Sequence, residues 1–213
     1  EEARLIYLGV LSGMQFGNKP HLVLDIGGGS TELILADRSE ARALTSTKIG
    51  AVRLQREFIK KDPISSQAEL FLRSFIRGSM ESAIDKVSKR IEAGEEPVLV
   101  ATSGTAMAIG SLVSNKENHI QSKLQGYKIP KNHLDSIVSQ LIKMTPSERS
   151  HLSSLSERRS EIIVPGALIL QTIMTMVNVN EVVLSERALR EGLVVDWMCR
   201  NNYLKDQLSF QGS

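Results

Sequence analysis

Two rhythms alternate along the chain. His21-Leu22-Val23-Leu24 and Leu33-Ile34-Leu35-Ala36 are short apolar runs, and the segment between them holds three consecutive glycines and a serine. Apolar runs joined through such a tip predict a β-hairpin. With residues 27–30 at the tip, Ile26 faces Thr31, Asp25 faces Glu32, Leu24 faces Leu33, Val23 faces Ile34 and Leu22 faces Leu35. Both faces are then apolar, which predicts a hairpin buried inside a sheet with its acids at the open end. Residues 42–53 are rich in β-compatible types and predict a third strand, and Val98–Thr102 and Glu181–Leu184 predict two more.

The second rhythm is helical. Phe71, Leu72, Phe75, Ile76, Met80, Ala83, Ile84, Val87 and Ile91 recur at the 3.6-residue period, predicting one long helix over residues 67–92, closed by Gly94, with its Phe and Met positions in the core. Further helices are predicted at residues 106–113 and 131–144, behind the capping box Thr145-Pro146-Ser147-Glu148, from Pro165-Gly166 to Asn178, and from Arg187 to Asn201. Gly192 lies inside the last of these at a cost of about 1 kcal/mol relative to alanine, so something should approach the chain there. Residues 1–10 predict a short helix or turn, and residues 11–20 and 114–126 predict loops. The order of hairpin, strand, long helix, strand, helices, strand, helix is that of a layered α/β fold.

The hairpin tip carries candidate chemistry. Glycine lets a ligand approach the backbone closely, and successive N–H groups at such a tip can cradle a phosphate. Directly opposed residues on an antiparallel pair lie about 4.5–5.5 Å apart at Cβ, so Asp25 and Glu32 would repel unless a cation lay between them. Hard carboxylate oxygens suit Mg²⁺. An ordinary glycine-rich turn with two solvated acids is the plainer alternative, but apolar strands on both sides and Ser-Thr-Glu after the glycines favour a phosphate-and-metal site. Ser103-Gly104-Thr105 forms a second strand–turn–helix junction, where a helix N-terminus can receive an anion, although such a turn is more often only a cap. The chain carries neither a dinucleotide-binding G-x-G-x-x-G after a strand nor a P-loop, and its four histidines show no ligand spacing.

Composition narrows the classes. With 213 residues, 41% hydrophobic and 23% charged, the chain is an ordinary globular one. A net charge of +2 is too small to argue for nucleic acid, and no run is apolar enough to predict a membrane span. The single cysteine, Cys199, excludes an internal disulfide and suits the cytoplasm.

Taken as a set, Glu1-Glu2-Ala3-Arg4-Leu5-Ile6, Asp25-Ile26-Gly27-Gly28-Gly29-Ser30-Thr31-Glu32, Ser103-Gly104-Thr105, Val164-Pro165-Gly166 and Ala188-Leu189-Arg190-Glu191-Gly192 resemble the exopolyphosphatase / guanosine pentaphosphate phosphohydrolase family over nearly the whole chain. The resemblance implies an actin-like ATPase (ribonuclease H-like) domain, a mixed sheet with a β-hairpin phosphate loop and covering helices. It implies two such domains per protein with the site between them. Residues 11–203 would be the second domain, residues 1–10 the end of a missing N-terminal domain or the segment joining it, and residues 204–213 a tail. It further implies Glu2 as the catalytic glutamate that orients water, Asp25 and Glu32 as Mg²⁺ ligands, and Gly27, Gly28, Gly29, Ser30, Thr31, Ser103, Gly104 and Thr105 as phosphate contacts. The expected substrate is inorganic polyphosphate, with guanosine pentaphosphate (pppGpp) or non-catalytic phosphate binding as alternatives. A homodimer is compatible with the family; nucleic acid and membrane are not expected partners. Relatives carry Asp-Gly before Ala-Leu-Arg-Glu-Gly, whereas Glu186-Arg187 stands here. Arg187 and Glu191 are also spaced for an i,i+4 ion pair.

Overall fold

A computed structural model describes residues 1–17, 19–116, 123–152 and 155–204. The elements are α1 (Glu2–Leu11), β1 (His21–Ile26), β2 (Thr31–Ala36), β3 (Ala41–Thr47), α2 (Ala51–Phe58), α3 (Ser66–Ser88), β4 (Val98–Thr102), α4 (Ser103–Lys116), β5 (Lys128–Pro130), α5 (Lys131–Lys143), α6 (Pro146–Ser150), α7 (Glu157–Met176), β6 (Glu181–Leu184) and α8 (Leu189–Arg200). The six strands form one mixed sheet in the order β3-β2-β1-β4-β6-β5. The hairpin register is the one read from the sequence, with Asp25 opposite Glu32 and Ile26 opposite Thr31. β4 runs parallel to β1 on the other side.

Every residue of β1 and β2 is buried, as runs apolar on both faces require. Leu22, Leu24, Ile26, Leu33 and Leu35 join the larger core with the apolar residues of α2, α3, α4, α5 and α7. Val23, Ile34, Val100 and Val183 face the other way and pack with α1 and Val195 of α8. The result is a three-layer sandwich in which the hairpin is central.

α3 is capped by Ser65, whose side chain accepts from the Ala68 N–H at 3.2 Å, and it ends at Ser88, short of Gly94. Leu72, Ile76, Met80, Ala83 and Val87 are its buried stripe. Phe71 and Phe75, expected in the core, instead flank that stripe at 59% and 36% exposure, with ring centroids 5.8 and 4.6 Å from Phe58. The capping box at Thr145 forms as expected, with Glu148 closing it.

Three expectations are corrected. The third strand stops at Thr47, and residues 51–58 are helical rather than extended. No side chain caps α2; its first N–H groups are met by the hairpin tip, Ala51 donating to the Gly27 carbonyl and Arg53 to the Gly28 carbonyl, both at 3.0 Å. Pro165 does not open a helix but lies inside α7, which begins at Glu157. Proline removes the bond to the carbonyl four residues earlier, and that carbonyl belongs to the exposed Glu161, where water can satisfy it. Burial of residues 163–170 then outweighs the lost bond. α4 extends over residues 103–116, so part of the expected loop at 114–126 is helix; residues 117–122, and 205–213 of the expected tail, lie outside the described residues. β5, three residues long, had no signal of its own.

Arg149 is fully buried in the larger core. Its guanidinium pairs with Asp62 and donates to the carbonyls of Ser160, Leu141 and Met144. This ties α5, α6 and α7 together.

Candidate functional site

The hairpin tip is held rigidly by its own backbone and by α2. The Gly27 N–H donates to the Ser30 carbonyl at 2.9 Å and closes the turn, so that group is not available to a ligand, contrary to expectation. Thr31 is fully buried and its hydroxyl donates to the Ile49 carbonyl at 2.8 Å, so that hydroxyl serves the fold rather than a phosphate. The N–H groups of Gly28, Gly29 and Ser30 make no hydrogen bond among the described residues. They are the donors the tip presents. The segment before α2 approaches the tip so closely that a Cβ at Gly50 would lie 2.5 Å from the Gly28 carbonyl, which restricts that position to glycine.

Asp25 and Glu32 sit at the root of the tip on the face shared with α1. Asp25 is 8% and Glu32 1% exposed. Burial, then the charge of Glu32, then that of Glu2 push the Asp25 carboxyl up to about 7. Glu32 Oε1 accepts from Ser46 Oγ at 2.7 Å across the β2–β3 ladder. Glu2 lies in the first turn of α1, exposed to solvent and near enough for its charge to act on Asp25. Two buried carboxylates face each other with no cationic side chain paired to either among the described residues. No group of three or more His, Cys, Asp or Glu side chains suited to a metal forms among the described residues. The donor set fits Mg²⁺ nonetheless, because that ion takes one or two carboxylates and completes its shell with water and phosphate oxygens.

On the opposite face of the tip lies a cavity of about 460 Å³. It is lined by Ile26, Gly27 and Gly28, by Ala51 and Val52, by Ser103, Gly104 and Thr105, and by Ser156, Arg158 and Arg159. Ser103 has φ +89, a left-handed backbone that is uncommon for a non-glycine residue. Its hydroxyl donates to the Ile26 carbonyl at 3.0 Å, which fastens the start of α4 to the end of β1. A side chain at Gly104 would meet Arg159 Nη2 at 2.9 Å, so that guanidinium lies directly over the α4 N-terminus. Arg158 and Arg159 are exposed and make no side-chain hydrogen bond or ion pair among the described residues. A second groove, lined by Gly28, Gly29, Val52, Arg53, Arg56 and Glu57, adjoins the first at Gly28 and Val52. Arg53 is paired there with Glu57.

The sequence-predicted residues therefore fall into two groups around one tip: Glu2, Asp25 and Glu32 on the α1 side, and Ser103, Gly104 and Thr105 on the α7 side. Gly27, Gly28, Gly29, Ser30 and Thr31 lie between them. Sequence reasoning missed Arg158, Arg159, Arg53 and Arg56. The pair Arg158-Arg159, one residue beyond Ser156-Glu157 at a helix start, was the available signal. The departure at residues 186–187 has a structural use. Glu186 accepts from the Leu124 N–H at 2.6 Å and its own N–H donates to Gln125 at 2.8 Å, while Arg187 reaches the Ser12 carbonyl rather than Glu191. Glu191 instead accepts from the Ala188 N–H at 2.8 Å.

Exopolyphosphatase 1 of Mycobacterium leprae is 30% identical over 195 residues, covering 92% of this chain and 56% of that protein. The guanosine-5'-triphosphate,3'-diphosphate pyrophosphatase of Aeromonas salmonicida is 30% identical over 205 residues, covering 95% of this chain and 38% of that protein. The chain thus spans about half the length, or less, of these relatives. Among solved structures, an exopolyphosphatase from Cytophaga hutchinsonii superimposes with a TM-score of 0.84 at 22% identity, covering 94% of this chain and 63% of that one. The Ppx/GppA member from Aquifex aeolicus gives 0.79 at 24% identity. These superpositions establish the actin-like ATPase fold. The family profile of the Ppx/GppA phosphatases matches residues 1–201, and the chain belongs to the Ppx/GppA phosphatase family.

Proposed function

We propose that this chain is the second actin-like domain, residues 11–203, of a cytoplasmic exopolyphosphatase that removes terminal phosphate from inorganic polyphosphate. Residues 1–10 would join it to an N-terminal domain that forms the other wall of the site. The observation that carries this reading is the pair of opposed, buried carboxylates at the root of a tip that presents three unpartnered N–H groups. The N–H groups of Gly28, Gly29 and Ser30 would hold the oxygens of the terminal phosphate. Asp25 and Glu32 would hold one Mg²⁺, which would neutralise charge on those oxygens. Glu2 would orient a water and accept its proton as the water oxygen bonds to phosphorus and the bridging P–O bond breaks. This is phosphoryl transfer by placement and electrostatics rather than by covalent catalysis.

Grooves on both sides of Gly28 carry arginines, of which Arg56, Arg158 and Arg159 have no carboxylate partner among the described residues. A linear polyanion extending from the tip fits that distribution. The guanosine pentaphosphate reading rests on the Aeromonas salmonicida relative. Phosphate release from polyphosphate and from pppGpp should be measured side by side for the full-length protein that carries this chain, with Mg²⁺ and with chelator. Mg²⁺-dependent release from polyphosphate, abolished in Asp25→Asn and Glu32→Gln proteins that still melt cooperatively, is expected. Faster release from pppGpp would favour the alternative, and wild-type turnover in the Asp25→Asn protein would remove the metal role.

A further inference from the structure

α1 carries Glu2, yet the helix is only ten residues long and its start has no side-chain cap. A helix of that length is marginal on its own, so the place of Glu2 depends on what α1 is fastened to. The fastening is α8. Gly9 and Gly192 let the two backbones touch: a Cβ at Gly192 would lie 1.7 Å from the Leu5 carbonyl oxygen, and one at Gly9 would lie 1.8 Å from that of Ala188. This contact and the burial of residues 5–11 seat the body of α1. Its first turn, where Glu2 lies, is held to α8 by an ion pair. Arg4 Nη2 donates to Asp196 Oδ1 at 2.8 Å, and Asp196 Oδ2 accepts from Arg200 Nε at 2.8 Å. The Asp196 side chain is 12% exposed, whereas Glu1 and Arg200, the outer members of the cluster, are 63% and 68% exposed. Exposed pairs hold little, so the Arg4–Asp196 bond is the tie. Arg4 and Glu2 are two residues, about 200°, apart around the helix, so pinning one to α8 turns the other away from it.

We propose that Asp196, acting through Arg4, is a positioning residue that holds the first turn of α1 and thereby aims the Glu2 carboxylate at the water opposite Asp25 and Glu32. The inference rests on the reading of Glu2 as the group that orients water. In the full-length protein, Asp196→Ala should lower kcat for polyphosphate about 10- to 100-fold, the scale set by misplacing a catalytic group by an ångström or less. KM should stay within about twofold, because an interaction that acts only on the transition state lowers kcat and kcat/KM together. Asp196→Asn, which keeps an acceptor for Arg4, should recover part of the loss. Arg4→Ala should match Asp196→Ala, and the double variant should be no worse than either single one. Val195→Ala loosens the same interface without touching the ion pair, so it should lower Tm but leave kcat at the wild-type value. Amide hydrogen exchange gives a reading independent of turnover: residues 2–8 should exchange faster in Asp196→Ala, while β1 and β2 keep their protection. Wild-type kcat in Asp196→Ala, additive losses in the double variant, an equal kcat loss in Val195→Ala, or unchanged exchange in α1 would each overturn the proposal while leaving the hydrolase reading intact. A wild-type protein inactive on both polyphosphate and pppGpp would instead defeat the hydrolase reading, and the aiming of Glu2 with it.

Discussion

Asp25 is the residue at which fold and chemistry conflict most. An aspartate ordinarily titrates near 3.8, but this one is pushed up to about 7 by burial and by the charges of Glu32 and Glu2. Between those values the unfolded chain releases the proton while the folded chain keeps it. The folded state then binds more protons, so stability falls as pH rises across that window and levels off above it. In the metal-free protein, Tm should therefore drop from pH 5 to pH 8, and Asp25→Asn should flatten the drop and melt higher at pH 8. Identical pH slopes for the two proteins would show that Asp25 is not the source. Arg149 is the opposite case, a buried charge whose partners are all in place. Arg149→Ala leaves Asp62 without its cation and three carbonyls without their donor, and should cost about 3–5 kcal/mol. Urea unfolding of the two proteins measures it, and a loss below 1 kcal/mol would mean that water replaces the guanidinium.

At the scale of elements, the α1–α8 crossing gives a sharp contrast between two helical glycines. A methyl group at Gly192 meets the Leu5 carbonyl, a backbone atom that cannot swing aside, whereas one at Gly78 in α3 meets nothing within 4 Å. Gly192→Ala should destabilise by about 1–3 kcal/mol or more. Gly78→Ala should stabilise by about 0.5–1 kcal/mol. For a chain of this size each kcal/mol shifts Tm by about 2–4 °C, so calorimetry resolves the two signs, and a neutral Gly192→Ala would mean the helices can part. The expectation that something approaches Gly192 came from its place in a helical pattern, and such local signals were legible throughout. The hairpin register followed from placing residues 27–30 at the tip, and the Thr145 capping box from four residues. What escaped were elements whose cause lies elsewhere in the chain. α2 starts where carbonyls of the hairpin tip receive its N–H groups, so residues 48–51 show no cap of their own. α7 runs through Pro165 because packing overrides a local breaker, and that misreading of the helix start also hid Arg158 and Arg159. The acid pair was legible because both its members and its tip are contiguous. The arginine-lined cavity was not, because it is assembled from the hairpin, α2, α4 and the start of α7.

At the scale of the whole molecule, the chain folds around more of its structure than of its chemistry. The hairpin is covered on one face by α3, α4, α5 and α7 and on the other by α1 and α8, so both sides of the central strands are buried without help from any further segment. Residues 1–213 by themselves should therefore melt in one cooperative transition. The candidate site, by contrast, is open. Glu2 is exposed at the first turn of α1, the Gly28–Ser30 N–H groups have no partner among the described residues, and Arg158 and Arg159 line a cavity with no carboxylate paired to them among the described residues. Much of the rate of phosphoryl transfer comes from holding water, phosphate and cation in line, which needs groups on both sides of the phosphate. The matched part of this chain covers 56% of the Mycobacterium leprae relative, and under the proposed function the facing wall would lie in the portion that it does not cover. Residues 1–213 alone should bind short polyphosphate weakly and only with Mg²⁺, by calorimetric titration, and should release phosphate at the rate of the enzyme-free control. Robust hydrolysis by these residues alone, lost in Glu2→Gln, would show that one domain suffices and that the facing wall is dispensable.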